Sequence, residues 1–175
     1  MSLKSVAVIP VHERHSLLRV TIKRLYEKNG VDHVICIGEN SNREVCQNAG
    51  AEFVEHPNLP LGRKWNAGFR VARQYRPDCV VYVGSSDWLS DNWLSVMYPL
   101  SLMYAVVGKL DFNMLHIGSG LKVGFWPRYP VGTGRENELI GIGRLISREF
   151  LDLIAWEPFD DELNKSMDWC IWRIS

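Results

Sequence analysis

The sequence predicts an α/β fold, a mostly parallel sheet with helices on both faces. Three observations predict it. The apolar, β-branched runs VAVIPV (6–11), HVICIG (33–38) and CVVYV (79–83) are continuous rather than alternating, as strands buried on both faces require. The segments between them carry apolar residues at helical spacing. Strand and helix then alternate along the chain, the order that sets strands parallel with helices as their crossovers.

After the first strand, HERHSLLRVTIKRLYEKNG places Leu18, Ile22, Leu25 and Tyr26 on one helical face, and Gly30 is a natural stop. Following the second strand, Ser41 and Glu44 have the spacing of a capping box, which would open a short helix with Val45, Cys46 and Ala49 inward. Residues 51–55 read as a shorter third strand. Residues 61–75 read as a helix with Trp65, Phe69 and Ala72 on one face. The fourth strand, 79–83, ends in GSSDW. Ser90 or Asp91 is expected to cap the next helix, which Pro99 ends or kinks.

The second half differs in character. Residues 110–130 hold Gly118, Gly120 and Gly124 beside Phe125, Trp126 and Tyr129, and read as irregular strands and loops. VGTGREN (131–137) reads as a mobile loop. Residues 139–146 form an apolar strand in which Arg144 needs an acidic partner. Ser147 is expected to cap a helix running to about Ile154. An acidic turn (157–163) and a last short helix (166–174) follow.

At 175 residues, the chain has the length of one domain. Lys and Arg total 20, as do Asp and Glu, so the formal net charge is zero. A neutral domain casts no broad field toward nucleic acid or an anionic membrane, so an anion site must be local. No apolar stretch approaches the ~20 residues of a membrane span. The four cysteines include no C-x-x-C pair, which argues for reduced thiols in a cytoplasmic protein. In a parallel sheet, ligands bind beyond the carboxyl ends of the strands. That rule selects His12, Glu13 and Arg14; Glu39, Asn40 and Ser41; Pro57 and Asn58; and Ser85, Ser86 and Asp87.

Five pieces in order resemble a known group: VAVIPVHER, ICIGENS, NLPLGRKWNAGFRVAR, VVYVGSSDWLSDNWL and PFDDELNKSMDW. Together they are similar to GT-A-type, family 2-like nucleotide-diphospho-sugar glycosyltransferases, over nearly the whole chain. The resemblance implies a single GT-A domain, with a nucleotide-binding half (1–100) and an acceptor and catalytic-base half (101–175). It implies transfer of a sugar from a UDP-, GDP- or dTDP-type donor to the hydroxyl of an unknown glycan, lipid or protein acceptor, with inversion. Asp168 matches the catalytic base. Pro10, His12, Glu13, Arg14, Glu39, Asn40, Lys64, Ser85 and Ser86 match the donor-binding positions, and Arg63 and Arg135 are further candidates for diphosphate charge. Asp87 matches the ligand of a Mn²⁺ or Mg²⁺ ion bound together with the diphosphate. Trp88, Trp126 and Trp169 are candidates to stack on a sugar, whereas Trp65 falls at core spacing.

The chain departs from the family at the acidic motif. Gly84, Ser85, Ser86 and Asp87 stand where two or three Asp are usual, so one carboxylate remains. A degenerate GT-A domain that binds nucleotide or carbohydrate without turnover is the alternative. A sugar nucleotidyltransferase calls for a G-G-x-G-x-R loop after the first strand, and a dinucleotide-binding dehydrogenase for G-x-G-x-x-G. PVHERH occupies that place and argues against both.

Overall fold

Residues 3–117, 120–165 and 167 are described by the computed structural model. Strand β1 (Ser5–Pro10) leads to helix α1 (His15–Glu27), β2 (His33–Gly38), a 3₁₀ turn (Asn40–Asn42), α2 (Arg43–Asn48) and β3 (Glu52–Glu55). Helix α3 (Leu61–Ala72), extended by a 3₁₀ turn (Arg73–Tyr75), precedes β4 (Cys79–Tyr82). Then come α4 (Trp93–Ser101), β5 (Val106–Val107), β6 (Phe112–Ile117), β7 (Leu121–Trp126), β8 (Arg144–Ser147) and α5 (Arg148–Leu153).

Six strands form one sheet in the order β3-β2-β1-β4-β8-β5. Strands β1 to β4 pair in parallel, and β8 runs antiparallel between β4 and β5. The mostly parallel α/β architecture expected from the continuous apolar runs is therefore the one observed. The pleat divides β1 between two cores. Ala7 and Ile9, with Val11 just beyond the strand, pack with Leu18, Ile22 and Leu25 of α1 and with Val45 and Cys46 of α2. Val6 and Val8 pack on the other face with Trp65, Phe69 and Ala72 of α3 and with Phe150 and Leu151 of α5. Trp65, Tyr82 and Phe159 make an aromatic cluster at the centre of this second core, with ring centroids 5.1–5.8 Å apart. Cys36, Cys46 and Cys79 are buried free thiols.

Helix α3 lies unusually close to the sheet. A Cβ at Gly68 would stand 2.4 Å from Ile37 Cδ1 and 2.7 Å from Val8 Cγ1, so only glycine admits this approach.

Four local expectations are corrected. Ser41 and Glu44 make no capping box, because the 3₁₀ turn intervenes and α2 starts after Asn42. The Asn42 side chain is engaged elsewhere, donating to the Glu39 carbonyl at 3.1 Å and meeting His15 Nε2 at 2.8 Å. Helix α4 is preceded by Asn92 rather than capped by Ser90 or Asp91, since the Asp91 carboxylate takes the Arg24 guanidinium at 2.6 Å. Pro99 sits within the last turn of α4. Residues 112–117 and 121–126, expected to be irregular, form the two regular antiparallel strands of a hairpin, pairing Phe112 with Trp126 and Leu115 with Val123. Of the expected 139–146 strand only 144–146 is extended, and the strand runs on to Ser147. The preceding carbonyls of Leu139 and Ile140 accept instead from the buried Arg144 guanidinium. The Ser147 cap is as expected, with its hydroxyl accepting from Phe150 N at 3.3 Å. Among the described residues, no helix is long and apolar enough to cross a membrane.

Gly68→Ala is expected to destabilise the protein by about 1–3 kcal/mol in denaturant unfolding, although alanine is the better helix former, because the new methyl overpacks Val8 and Ile37. An unchanged or raised midpoint would contradict the close packing.

Candidate functional site

The strand order reverses direction between β1 and β4, and such a switch point opens a crevice at the carboxyl ends of the strands. The backbone carries the sheet a little beyond the strands. Val11 N donates to Ile37 O at 2.7 Å, and Val83 N to Val8 O at 3.1 Å. Two turns then face one another across the crevice, residues 11–14 and residues 84–88.

The first turn ends at Arg14, whose backbone is left-handed (φ 64°, ψ 42°) immediately before α1. A residue with a Cβ pays about 1–2 kcal/mol for this conformation, and such strain concentrates at functional sites. The Arg14 side chain reaches across the crevice, and its Nη1 donates to Ser86 Oγ at 3.1 Å. The second turn is closed by Asp87. Its Oδ2 accepts from Gly84 N at 2.8 Å, and a Cβ on Gly84 would lie 2.7 Å from that oxygen. The buried Thr21 hydroxyl of α1 is 3.4 Å from the Asp87 carbonyl. Burial raises the pKa of the Asp87 carboxyl, against the opposing pull of the Gly84 N–H and the Arg14 charge.

Lys64 supports the first turn from below. It is buried on α3, and its Nζ donates to Val11 O at 2.5 Å and to Asn58 Oδ1 at 2.9 Å. Burial lowers its pKa to about 8, while the neighbouring Glu39 carboxylate pulls the other way. Glycine at 68 and lysine at 64 thus act together, since the close helix delivers the ammonium group beneath the loop.

The structure brings Pro10 (paired with Ile37), His12, Glu13, Arg14, Glu39, Ser85, Ser86 and Asp87 to one edge of the sheet. Asn40 stands beside them, its Oδ1 holding Arg43 Nε at 2.8 Å. Other candidates are drawn elsewhere. Arg63 binds the Asp161 and Glu162 carboxylates, and Arg135 binds Glu138 with its guanidinium 3.9 Å from the Tyr129 ring centroid. Asn66 is buried, donating to Phe159 O at 2.7 Å and Asp161 Oδ1 at 2.9 Å, so the acidic turn is docked on α3 rather than solvated. Trp126 packs against Phe112 and Tyr129 within the hairpin region. Asp168 and Trp169 lie outside the described residues.

Two cavities adjoin the crevice. One, of about 610 Å³, is walled by His12, Glu13, Ser16, Glu39 and Ser41. The other, of about 640 Å³, lies between the 86–90 loop and the hairpin and includes Trp88, Lys109, Asp111, Phe112 and Phe125. Arg14 borders both. The sequence reading missed the hairpin wall, although a GSG turn between two runs of aromatic and β-branched residues is a hairpin signal. Among the described residues, no three His, Cys, Asp or Glu side chains are grouped to hold a metal. Asp87 contributes the only carboxylate of its turn and is already engaged by Gly84, so these residues do not fit a metal held by the protein.

No family model and no curated protein matches the sequence. Solved structures match the fold. A CMP:2-keto-3-deoxy-manno-octonic acid synthetase complexed with CTP is 13% identical with a TM-score of 0.56, covering 90% of this chain and 79% of its own. Two structures of 4-diphosphocytidyl-2C-methyl-D-erythritol synthase, one of them from Anaerococcus prevotii, are 10% identical. Their TM-scores are 0.60 and 0.62, covering 98% and 99% of this chain and 82% and 86% of their own. A Mycobacterium tuberculosis protein in complex with manganese is 13% identical with a TM-score of 0.51, covering 88% of this chain and 76% of its own.

At these identities the likeness establishes a shared fold alone, the Rossmann-like fold that the cytidylyltransferases have. It corrects the expectation of sugar transfer to an acceptor hydroxyl, and with it the UDP-, GDP- or dTDP-type donor. The absent G-G-x-G-x-R loop likewise fails to exclude the nucleotidyltransferase architecture. Both errors have one cause. The short segments at 58–72 and 84–87 that resembled a glycosyltransferase serve packing and turn geometry here, and related sheets share such geometry across different chemistries.

The depressed Lys64 predicts a pH dependence. Between about pH 8 and the ordinary lysine value near 10.4, the unfolded chain binds more protons than the folded one, so stability from this group rises with pH. Relative to Lys64→Met, the wild-type protein is expected to gain about 2 kcal/mol between pH 7.5 and 9.5 in denaturant unfolding. A parallel response of the two proteins would show that Lys64 titrates as an ordinary lysine.

Proposed function

We propose that the chain binds a nucleoside triphosphate of the cytidine type at the β1–β4 crevice and transfers its nucleotidyl group to a second substrate. The observation that carries this reading is the position of Arg14, a strained residue at the switch point whose guanidinium borders both cavities. Support comes from the shared fold, one of whose solved examples is complexed with CTP. In this reading the nucleotide occupies the cavity walled by His12, Glu13 and Glu39, and the second substrate occupies the one beneath the hairpin. The halves 1–100 and 101–175 then meet at the reacting atoms.

The transfer is an attack by the second substrate's oxygen on the α-phosphorus. The new O–P bond forms as the bond to the bridging oxygen of the β-phosphate breaks, and pyrophosphate departs. Negative charge grows on the departing group, where a guanidinium held in place is worth most. PVHERH lacks the glycines that would cradle phosphates with backbone N–H groups, so this work falls to the Arg14 fork. Asp87, with its raised proton affinity, takes the proton of the attacking hydroxyl and passes it to water. No step of this scheme is routed through a Mn²⁺ or Mg²⁺ ion, since among the described residues Asp87 has no companion ligands to hold one.

Calorimetric titration with CTP, UTP, ATP and GTP, followed by assay of pyrophosphate release, tests the proposal. CTP is expected to bind most tightly, and Arg14→Ala and Arg14→Gly should each weaken it about tenfold or more. The two variants should differ in stability, with glycine favoured by about 1 kcal/mol because it relieves the left-handed backbone. Failure of every triphosphate to bind would sink the proposed function.

A further inference from the structure

We infer that the cavity beneath the hairpin binds an amphipathic molecule, one with an apolar body and an uncharged, hydroxylated head. This rests on the proposed function only in naming that molecule as the second substrate; the cavity itself is argued from its walls.

The hairpin has two unlike faces. Asn113, Leu115, Val123 and Phe125 fall on one side by strand alternation, together with Leu121. Leu115, Leu121, Val123 and Phe125 are exposed, from 47% for Leu115 to 72% for Leu121. An antiparallel ribbon that buried this side in its own core would hide them, and this one does not. Leu115 and Phe125 instead form one wall of the 640 Å³ cavity. The opposite wall is built by Trp88, itself nearly half exposed, and by Ile140 and Ile142. A volume of this size holds a ligand of a few tens of atoms, and mostly apolar walls with a few polar groups are the usual lining of such a site. Leu121 and Val123 continue the apolar wall beyond the cavity, giving a hydrocarbon longer than the cavity a surface to follow.

The polar groups gather at two places. Arg14, Ser86 and Asp87 form the inner end, toward the crevice, and Lys109 and Asp111 face each other at 3.3 Å. Two cations and two carboxylates sum to zero charge. Such a set offers paired donors and acceptors to hydroxyl groups and gives no net attraction to an anionic or cationic head. The inner end is also where the proposed transfer needs a nucleophilic oxygen, so the head points at Asp87 and the body lies against Trp88 and Phe125.

The test is a titration of the full chain with n-octyl-β-glucoside below its micellar concentration, set beside glucose and octyl sulfate, with tryptophan fluorescence and calorimetry as readouts. Octyl glucoside is expected to bind at least about tenfold more tightly than either, since glucose lacks the apolar body and octyl sulfate adds an unmatched charge. Phe125→Ser and Leu115→Ser should each weaken it about tenfold or more, with CTP affinity unchanged. Leu102→Ser, on an exposed apolar surface following α4, serves as the control and should leave binding intact. Equal binding of glucose, tighter binding of octyl sulfate, an equal loss in Leu102→Ser, or no binding by octyl glucoside would each overturn the inference. The CTP titration is read separately. Amphiphile binding without nucleotide binding would fell the proposed function and leave this inference standing, and the reverse result would do the opposite.

Discussion

Strand β1 is paired along both edges and covered on both faces, and most of the site follows from that constraint. A strand so enclosed meets solvent only at its ends, and the strands that follow β1 and β4 in the chain lie to opposite sides of that pair in the sheet. The chain leaving β1 must therefore turn over an open crevice with β4 at its side. Every side chain proposed to touch the nucleotide hangs from that turn, from its counterpart after β4, or from the end of β2. The Lys64 ammonium group is held beneath the same turn because Gly68 lets α3 come down onto β1 and β2. The packing of one helix and the placement of one charge are thus a single arrangement.

In the proposed reading, charge replaces backbone in this site. Folds of this architecture use glycine-rich turns where backbone N–H groups approach phosphate, and here the corresponding turn is PVHERH. The left-handed conformation that a glycine would adopt without strain is kept, but an arginine occupies it. The guanidinium then spans to Ser86 and stands where two cavities meet. On a chain with no net charge, one cation at a seam can set the local potential without a basic surface around it.

Much of the architecture was legible in the residues themselves. The continuous apolar runs marked the parallel strands, and the spacing of Leu18, Ile22 and Leu25, or of Trp65, Phe69 and Ala72, marked which helical faces turn inward. Caps were read less well. Asn42 and Asp91 had stronger partners, in His15 with the Glu39 carbonyl and in Arg24, than the helix ends offered. Those partners are distant in sequence, so no local pattern reveals them. The functional reading failed for a related reason. Asn58, Gly62, Asn66 and Gly68 belong to the piece NLPLGRKWNAGFRVAR that resembled the glycosyltransferases, yet Asn58 receives Lys64, Asn66 docks the 157–163 turn, and Gly68 admits the sheet. The same letters at the same spacing serve packing in one chain and chemistry in another.

The sequence by itself determined the layers, the parallel pairing and the edge of the sheet at which polar residues gather. Those follow from periodicity and burial, which act over a few residues at a time. Only the tertiary structure decided which polar residues at that edge face one another, that Arg14 rather than Arg63 or Arg135 borders the crevice, and that the paired strands 112–117 and 121–126 wall a second cavity. These depend on contacts between segments up to a hundred residues apart, such as Asn66 with Asp161 or Arg14 with Ser86. Their energies are settled when the layers close, because a charged side chain takes the partner that burial leaves within reach rather than the one nearest in the chain.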